Sequence, residues 1–368
     1  MAEATIKFSG SSHMKHKLIL ATLAGKSIKI TDIRSFNGGV QEYEINLIRL
    51  IDKLTNGTKI KLHPSGTEID FIPGILHGGS IEHQCCVEKS IGYYLDVLIA
   101  FGPFCKFPID AKLKGVTNSF DSPSVDHIRS SAFNIMKRFI IEEDAFELKI
   151  LKRGMMPDGG GEISFKIKPV LKLRALQLVK TGMVKRIRGT VYSCKVSPTF
   201  SNRTIESAKG IMLNFIPDVY LHTDQHKGKS SGLSPGYGVI LNAETTENVI
   251  FSTEIVNMEK GILPEDVGKF CANKLLDEIY RGGCCDSTFQ WLMMLYMALG
   301  PKSVSKVVTG PFSRHTVTYL QLIKEILGVK FKIESYEEEE DDEDDSQCYK
   351  VMVACVGLGY TNLAKRAL

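Results

Sequence analysis

The sequence predicts an α+β fold: three βαβαββ-type repeats packed into one body, with a small α/β domain inserted before the third repeat. Three observations predict it. An amphipathic helical stretch followed by two alternating runs joined by a turn occurs three times. Residues 184–283 break that recurrence with a polar, glycine-containing texture of their own. At 368 residues, 43% of them hydrophobic, the chain is long and apolar enough to build a core shared by several units.

Residues 1–183 take in the first and second repeats. In the first, Ile45, Leu47, Ile48 and Ile51 give a helix over 42–54 its apolar side, and Asn56-Gly57 ends it. Strands over 59–62 and 68–71 then flank the turn Pro64-Ser65-Gly66. The second repeat carries an apolar helix over 91–100, a strand over 107–113 and a helix over 124–139. Two strands follow, in which Phe146, Leu148 and Ile150, then Ile163, Phe165 and Ile167, alternate with polar residues.

Between those strands lies Arg153-Gly154-Met155-Met156-Pro157-Asp158-Gly159-Gly160-Gly161-Glu162-Ile163. Three consecutive glycines cost too much chain entropy to serve stability alone. They let backbone amides approach something closely, and an anion is the usual guest. Arg153 and the amides of Gly159, Gly160 and Gly161 are therefore expected to form an anion pocket.

Residues 184–283 are read as the inserted α/β domain. Helices are expected over 202–212 and 264–280, and strands over 219–223 and 239–244. Lys185, Arg186 and Arg188 make a basic edge at its entry, suited to RNA or protein docking. Residues 284–368 are the third repeat. A helix over 289–299 and a strand over 304–308 precede a helix over 313–327, whose stripe is Leu320, Ile323 and Leu327 and whose cap is Gly328. Two strands close it, joined by an acidic hairpin loop at 334–345.

That loop dominates the charge distribution. The chain carries a net +4, but ten acidic residues between 334 and 345 offset a remainder of +14. A body so basic suits a nucleic-acid partner. The acidic run itself reads as a solvated, disordered loop. Deleting residues 337–345 is expected to leave the melting temperature almost unchanged. A large drop in a thermal scan would mean that the run docks onto the basic body. No apolar run reaches membrane-spanning length, the amino terminus does not read as a signal peptide, and nine cysteines without CxxC spacing fit reduced thiols in cytosol or nucleus.

The pattern Arg-Gly-x-x-Pro-x-Gly-Gly-Gly-x-Ile at residues 153–163 resembles the signature of the RNA 3'-terminal phosphate cyclase superfamily. That superfamily also has the plan of three repeats with a small inserted domain, so the resemblance covers nearly the whole chain. One branch comprises ATP-dependent cyclases that work through a nucleotidyl-histidine. The other comprises the cyclase-like proteins of eukaryotes, ribosome-assembly factors regarded as lacking that activity. The cyclase amino-terminal motif is similar to Asp-Gly-Ser-x-Gly-Glu-Gly-Gly-Gly-Gln. Here Ser9-Gly10-Ser11 survives and Ser12-His13-Met14-Lys15-His16-Lys17 follows, so a metal-holding glutamate has given way to a basic patch. Lys15 and Lys17 would attract phosphate there. A cyclase Gln-His pair is replaced near Glu42-Tyr43. In Cys285-Asp286-Ser287-Thr288-Phe289-Gln290-Trp291-Leu292, Asp286 remains while Thr288, Trp291 and Leu292 stand at polar positions. One feature points the other way. Ser313-Arg314-His315-Thr316-Val317-Thr318 resembles the context of the cyclase nucleophile, and it puts His315 in the first turn of a helix that Ser313 would cap.

Short segments such as Thr55-Asn56-Gly57, residues 77–83, 185–189 and 279–284 look like the eukaryotic cyclase-like branch. The resemblance implies a non-catalytic factor for early 18S pre-rRNA processing in the small-subunit processome, in the nucleus and nucleolus. It implies a partner GTPase and contact with pre-rRNA, with no cofactor and no metal. The alternatives are an active ATP-dependent RNA 3'-phosphate cyclase using His315, and a pre-rRNA endoribonuclease. Against the latter, no carboxylate cluster and no histidine pair at ligand spacing is read in the sequence.

Overall fold

The computed structural model describes residues 5–35, 38–142, 144–257, 261–336 and 348–365. Most of the acidic run, residues 337–345, lies outside the described residues. Glu334 is placed, on the strand Phe331–Tyr336.

Among the described residues four mixed four-stranded sheets form, and three of them share one plan. In the first, Ile6–Ser9 runs parallel to Ile28–Thr31, which pairs antiparallel with Ile69–Ile72, with Lys59–Leu62 at the far edge. The second has Gly79–Gln84, Ile109–Gly115, Gly161–Ile167 and Phe146–Lys152 in the same order and directions. The third has Gln177–Leu178, Val304–Thr309, Lys350–Val356 and Phe331–Tyr336.

Between the parallel strands lie Met14–Ala24 in the first plan, Ile91–Phe101 in the second and, after the long stretch that separates the strands of the third, Gln290–Leu299. These three helices are buried on nearly every side and form the centre of the core. Tyr296 Oη donates to the Ile99 carbonyl at 2.5 Å, tying two of them together. A helix that is apolar all round belongs inside. Met14–Ala24 escapes the sequence reading because Lys15, His16 and Lys17 fill its first turn and break the apolar run that marks the other two. A second, amphipathic helix follows in each plan: Glu42–Leu54, residues 125–139 and Arg314–Leu327. Their ends sit where cap chemistry puts them. Ser313 Oγ accepts from the Thr316 amide at 3.1 Å, and Gly328 ends that helix with φ near 77°.

The fourth sheet has the order Val219–His226, Val184–Cys194, Gly236–Thr245 and Ile250–Val256. Helices Pro198–Phe215 and Pro264–Arg281 pack on each other and against it. The two ends of this stretch meet, with Thr181 Oγ1 donating to the Gly283 carbonyl at 3.0 Å. The sequence reading placed the stretch ahead of the whole third unit. In the structure Gln177–Leu178, which precedes it, already pairs with Lys306 and Val307. Two residues are too few to show a period, so the sequence could not reveal that strand.

Candidate functional site

Two stretches from opposite ends of the chain meet at the start of their helices. His13 has left-handed backbone, φ 55°, just before helix Met14–Ala24, and His16 lies in that helix's first turn. His315 lies in the first turn of Arg314–Leu327. The His13 and His315 rings are 4.5 Å apart, centre to centre, and His16 and His315 are 4.9 Å apart. One ring nitrogen from each of the three lies within 4.8 Å of the others. His16 is 5% exposed and is walled by Trp291 at 5.2 Å and Tyr319 at 4.9 Å. Lys15 is ion-paired with the buried Asp96 and covers the Tyr93 ring. Lys17 donates to the Gly10 carbonyl at 3.1 Å and sits over Phe8.

Burial, and then the neighbouring positive groups, lower the pKa of all three imidazoles. His16 titrates well below its usual range, through burial first and then Lys15, His315 and His13. His315, open to solvent on its outer side, is lowered to about 4 by partial burial, then by His13 and Lys15. His13 is lowered by burial and Lys17. A neutral imidazole can act as nucleophile, base or metal ligand. The histidine pair that the sequence reading did not register is His13 and His16, three residues apart. That spacing was the available signal, and the fold adds His315 to it.

The glycine-rich loop is arranged differently from the expectation. Arg153 is 1% exposed, and its anions are internal. Its guanidinium donates to Asp126 at 2.6 Å, Asn118 at 2.9 Å and Asp224 at 2.9 Å, and it stacks 4.6 Å from the Tyr192 ring. The Gly159 amide is turned inward to the Met155 carbonyl at 2.9 Å, while the Gly159 carbonyl accepts from the Leu233 amide. The Gly232 amide donates to the Arg153 carbonyl at 2.6 Å. A Cβ added to Gly160 would meet Leu233 at 2.9 Å, and one on Gly161 would meet the Gly154 nitrogen at 2.7 Å. The close approach that the glycines permit is therefore to residues 232–234 and to strand backbone, and the loop is a closed joint rather than an open pocket. Spacing along the chain could not reveal Asp126 and Asp224 as the partners.

The basic edge is also engaged, though at the surface. It lies on Val184–Cys194, a central strand of its sheet. Lys185 Nζ donates to Asn248 at 3.2 Å, Arg186 pairs with Glu244 at 2.7 Å, and Arg188 pairs with Asp218 at 2.8 Å.

A family model described as RNA 3'-terminal phosphate cyclase matches residues 6–333. The chain belongs to that family. It is similar over nearly its whole length to members named as RNA 3'-terminal phosphate cyclase-like proteins. The Drosophila melanogaster protein is 54% identical, covering 98% of this chain and 97% of the relative. The Homo sapiens protein is 45% identical, covering 98% of each. A Schizosaccharomyces pombe relative named rRNA processing protein rcl1 is 38% identical, again covering 98% of each.

Within this cyclase-family chain, the segment with the cyclase-like Asp286 has packed into the core. Trp291 and Leu292 are buried, and Asp286 accepts from the Phe289 amide at 3.0 Å. Asp286 also faces His127 Nε2 at 3.3 Å, while Glu254 faces His127 Nδ1 at 3.5 Å. Burial alone would lower the His127 pKa. Hydrogen bonds to Asp286 and Glu254 outweigh it and raise the group to about 10. This buried cation joins three segments: the helix around 127, the strand Ile250–Val256 and the loop before Gln290–Leu299. No local motif marks it, because its members are spread over three parts of the chain. No helix among the described residues is long and apolar enough to cross a membrane.

Proposed function

We propose that this member of the cyclase family is a non-catalytic ribosome-assembly factor. It serves early 18S pre-rRNA processing in the small-subunit processome, in the nucleolus, bound to a partner GTPase and to pre-rRNA. One observation carries the non-catalytic part. The segment that resembles the cyclase's metal-holding motif faces His315 with two imidazoles and a lysine in place of its glutamate. Asp96, the buried carboxylate beside Lys15, is already bridged by that lysine. Metal-bound ATP needs hard oxygen ligands, and imidazole and ammonium do not supply them. The printed name of the Schizosaccharomyces pombe relative supports the rRNA part of the reading.

On this reading the three sheets of one plan are repeats, and residues 184–283 are an inserted domain. Lys185, Arg186 and Arg188 are its RNA-contacting edge. Their partners are surface ion pairs or amides worth about 0–1 kcal/mol each, so phosphates can displace them at low cost.

A second reading, an active cyclase, is favoured by the neutral His315 at a helix start, where a phosphate would be held. The two separate in one assay. Purified protein incubated with ATP labelled at the α-phosphate, with magnesium or manganese, is expected to acquire no covalent adenylate. Label that appears on the wild type and vanishes in His315→Ala would make the protein a nucleotidyl-transfer enzyme. For the assembly role, depletion of the protein is expected to make unprocessed 18S precursors accumulate. Unchanged precursor levels would remove that role.

A further inference from the structure

We propose that His13, His16 and His315 form a three-histidine site for a borderline divalent transition metal, zinc being the type, with the fourth position open to an anion or water. The site is independent of the assembly reading. Three features carry it. First, the donor atoms converge: three ring nitrogens, one from each residue, lie within 4.8 Å of one another. Nitrogens bound tetrahedrally at about 2.0–2.1 Å from zinc stand roughly 3.4 Å apart, so small side-chain rotations close the set. Second, two of these rings are short of partners. His16 Nε2 and His13 Nδ1 are shut off from solvent without a hydrogen bond, and His16 is 5% exposed. A buried imidazole nitrogen left unpaired is costly, and a ligand supplies what the protein does not. Third, the ligand chemistry selects the metal. Three imidazole nitrogens suit zinc, copper, nickel or cobalt and are poor ligands for magnesium or calcium.

The surroundings shape the remaining position. Two helix amino termini point their amide ends at the site, and Lys15 stands beside it. These features oppose a bare cation. The Asp96 carboxylate balances the Lys15 charge. The helix ends then favour a negative group as fourth ligand, as hydroxide, chloride or phosphate would be. Three protein ligands with one exchangeable position is the arrangement of open zinc sites rather than of closed structural ones. His16 and its aromatic wall of Trp291 and Tyr319 hold one ligand rigidly, while His315 is exposed and closes the set from the solvent side.

The test uses the full chain, stripped with chelator under reducing conditions and titrated with zinc alone by calorimetry, then with cobalt followed by visible absorption. One saturable equivalent is expected, with the strong ligand-field bands of four-coordinate cobalt and no sulfur charge-transfer band. His315→Gln, a surface change that leaves the core intact, is expected to weaken zinc binding by about 100-fold or more, since loss of even an outer partner costs up to that much. His13→Gln is expected to do the same. The absence of a saturable equivalent overturns the proposal. So does uptake that is unchanged in both variants, or a cobalt spectrum dominated by thiolate bands, which would assign the metal to the nine cysteines.

Discussion

Replacing Arg153 with methionine is expected to destabilise the protein by about 3–5 kcal/mol, the usual cost of removing one member of a buried ion pair. Asp126, 3% exposed, holds its charge because of Arg153. Burial pushes that carboxyl up, and the guanidinium brings it back below its usual range. Without the guanidinium the buried carboxylate keeps only the half-exposed Arg129 at 3.5 Å and the Asn118 amide at 3.1 Å, and it must stay charged on those partners or take up a proton, both of which cost stability. Methionine restores much of the lost volume, so the loss reports the electrostatics rather than a cavity. Arg153→Lys is expected to fail nearly as badly, since one ammonium cannot span Asp126, Asn118 and Asp224 as the planar fork does. Pairing Arg153→Met with Asp126→Asn should recover part of the loss. Urea unfolding measures all of this, and a single-variant effect below about 1 kcal/mol, the range of surface pairs, would mean that the cluster is open to water.

The second large effect is a pH dependence set by His127. Its folded pKa is raised to about 10 against 6.5 for the free side chain. Between those values the folded state holds a proton that the unfolded chain has released. The stabilisation is complete below pH 6.5 and is lost as pH rises towards about 10. One such group gives a slope of at most about 1.4 kcal/mol per pH unit. Buried thiols act in the same direction at higher pH, because burial raises Cys105 and Cys271 to about 12. His13, His16, His83 and His315, all lowered in pKa, act oppositely until the unfolded chain's imidazoles have lost their protons, about one pH unit above 6.5. The difference in slope between the wild type and His127→Gln isolates His127, because every other titrating group is common to both proteins. Above about pH 7.5, where the unfolded imidazoles have lost their protons, wild-type stability is expected to fall with pH more steeply than that of His127→Gln, which should be the less stable of the two at pH 6.5. Parallel slopes in the two proteins would mean that His127 is neutral in the fold.

How much of this was legible depended on where each signal was stored. The helix Glu42–Leu54 was read from Ile45, Ile48 and Ile51 because its stripe is local. Arg314–Leu327 was read from Ser313 and Gly328, which carry cap chemistry in their identity. Met14–Ala24 is not legible, since Lys15, His16 and Lys17 in its first turn read as an exposed basic patch, although His16 and Lys17 are buried. At the site, His315 was visible in its motif, but its neighbours His13 and His16 are brought to it only by tertiary packing. The glycine loop was recognised as a place of close approach. What approaches it, Leu233 and two carboxylates, was beyond any reading of spacing.

The placement of Gln177–Leu178 has a consequence for synthesis. This strand leaves the ribosome well before its partner Val304–Thr309. At translation rates of about 5–20 residues per second, the stretch between them takes on the order of ten seconds to emerge. During that wait the first two sheets can already be complete, while the third has one short edge and nothing to pair with. The intervening stretch has local contacts of its own, and its two ends are pinned at Thr181 and Gly283. If it folds first, it converts a long loop closure into a short one and delivers the later strands close to the waiting edge. The order of assembly is then written into the order of translation, and slowing the ribosome after residue 283 should favour correct closure.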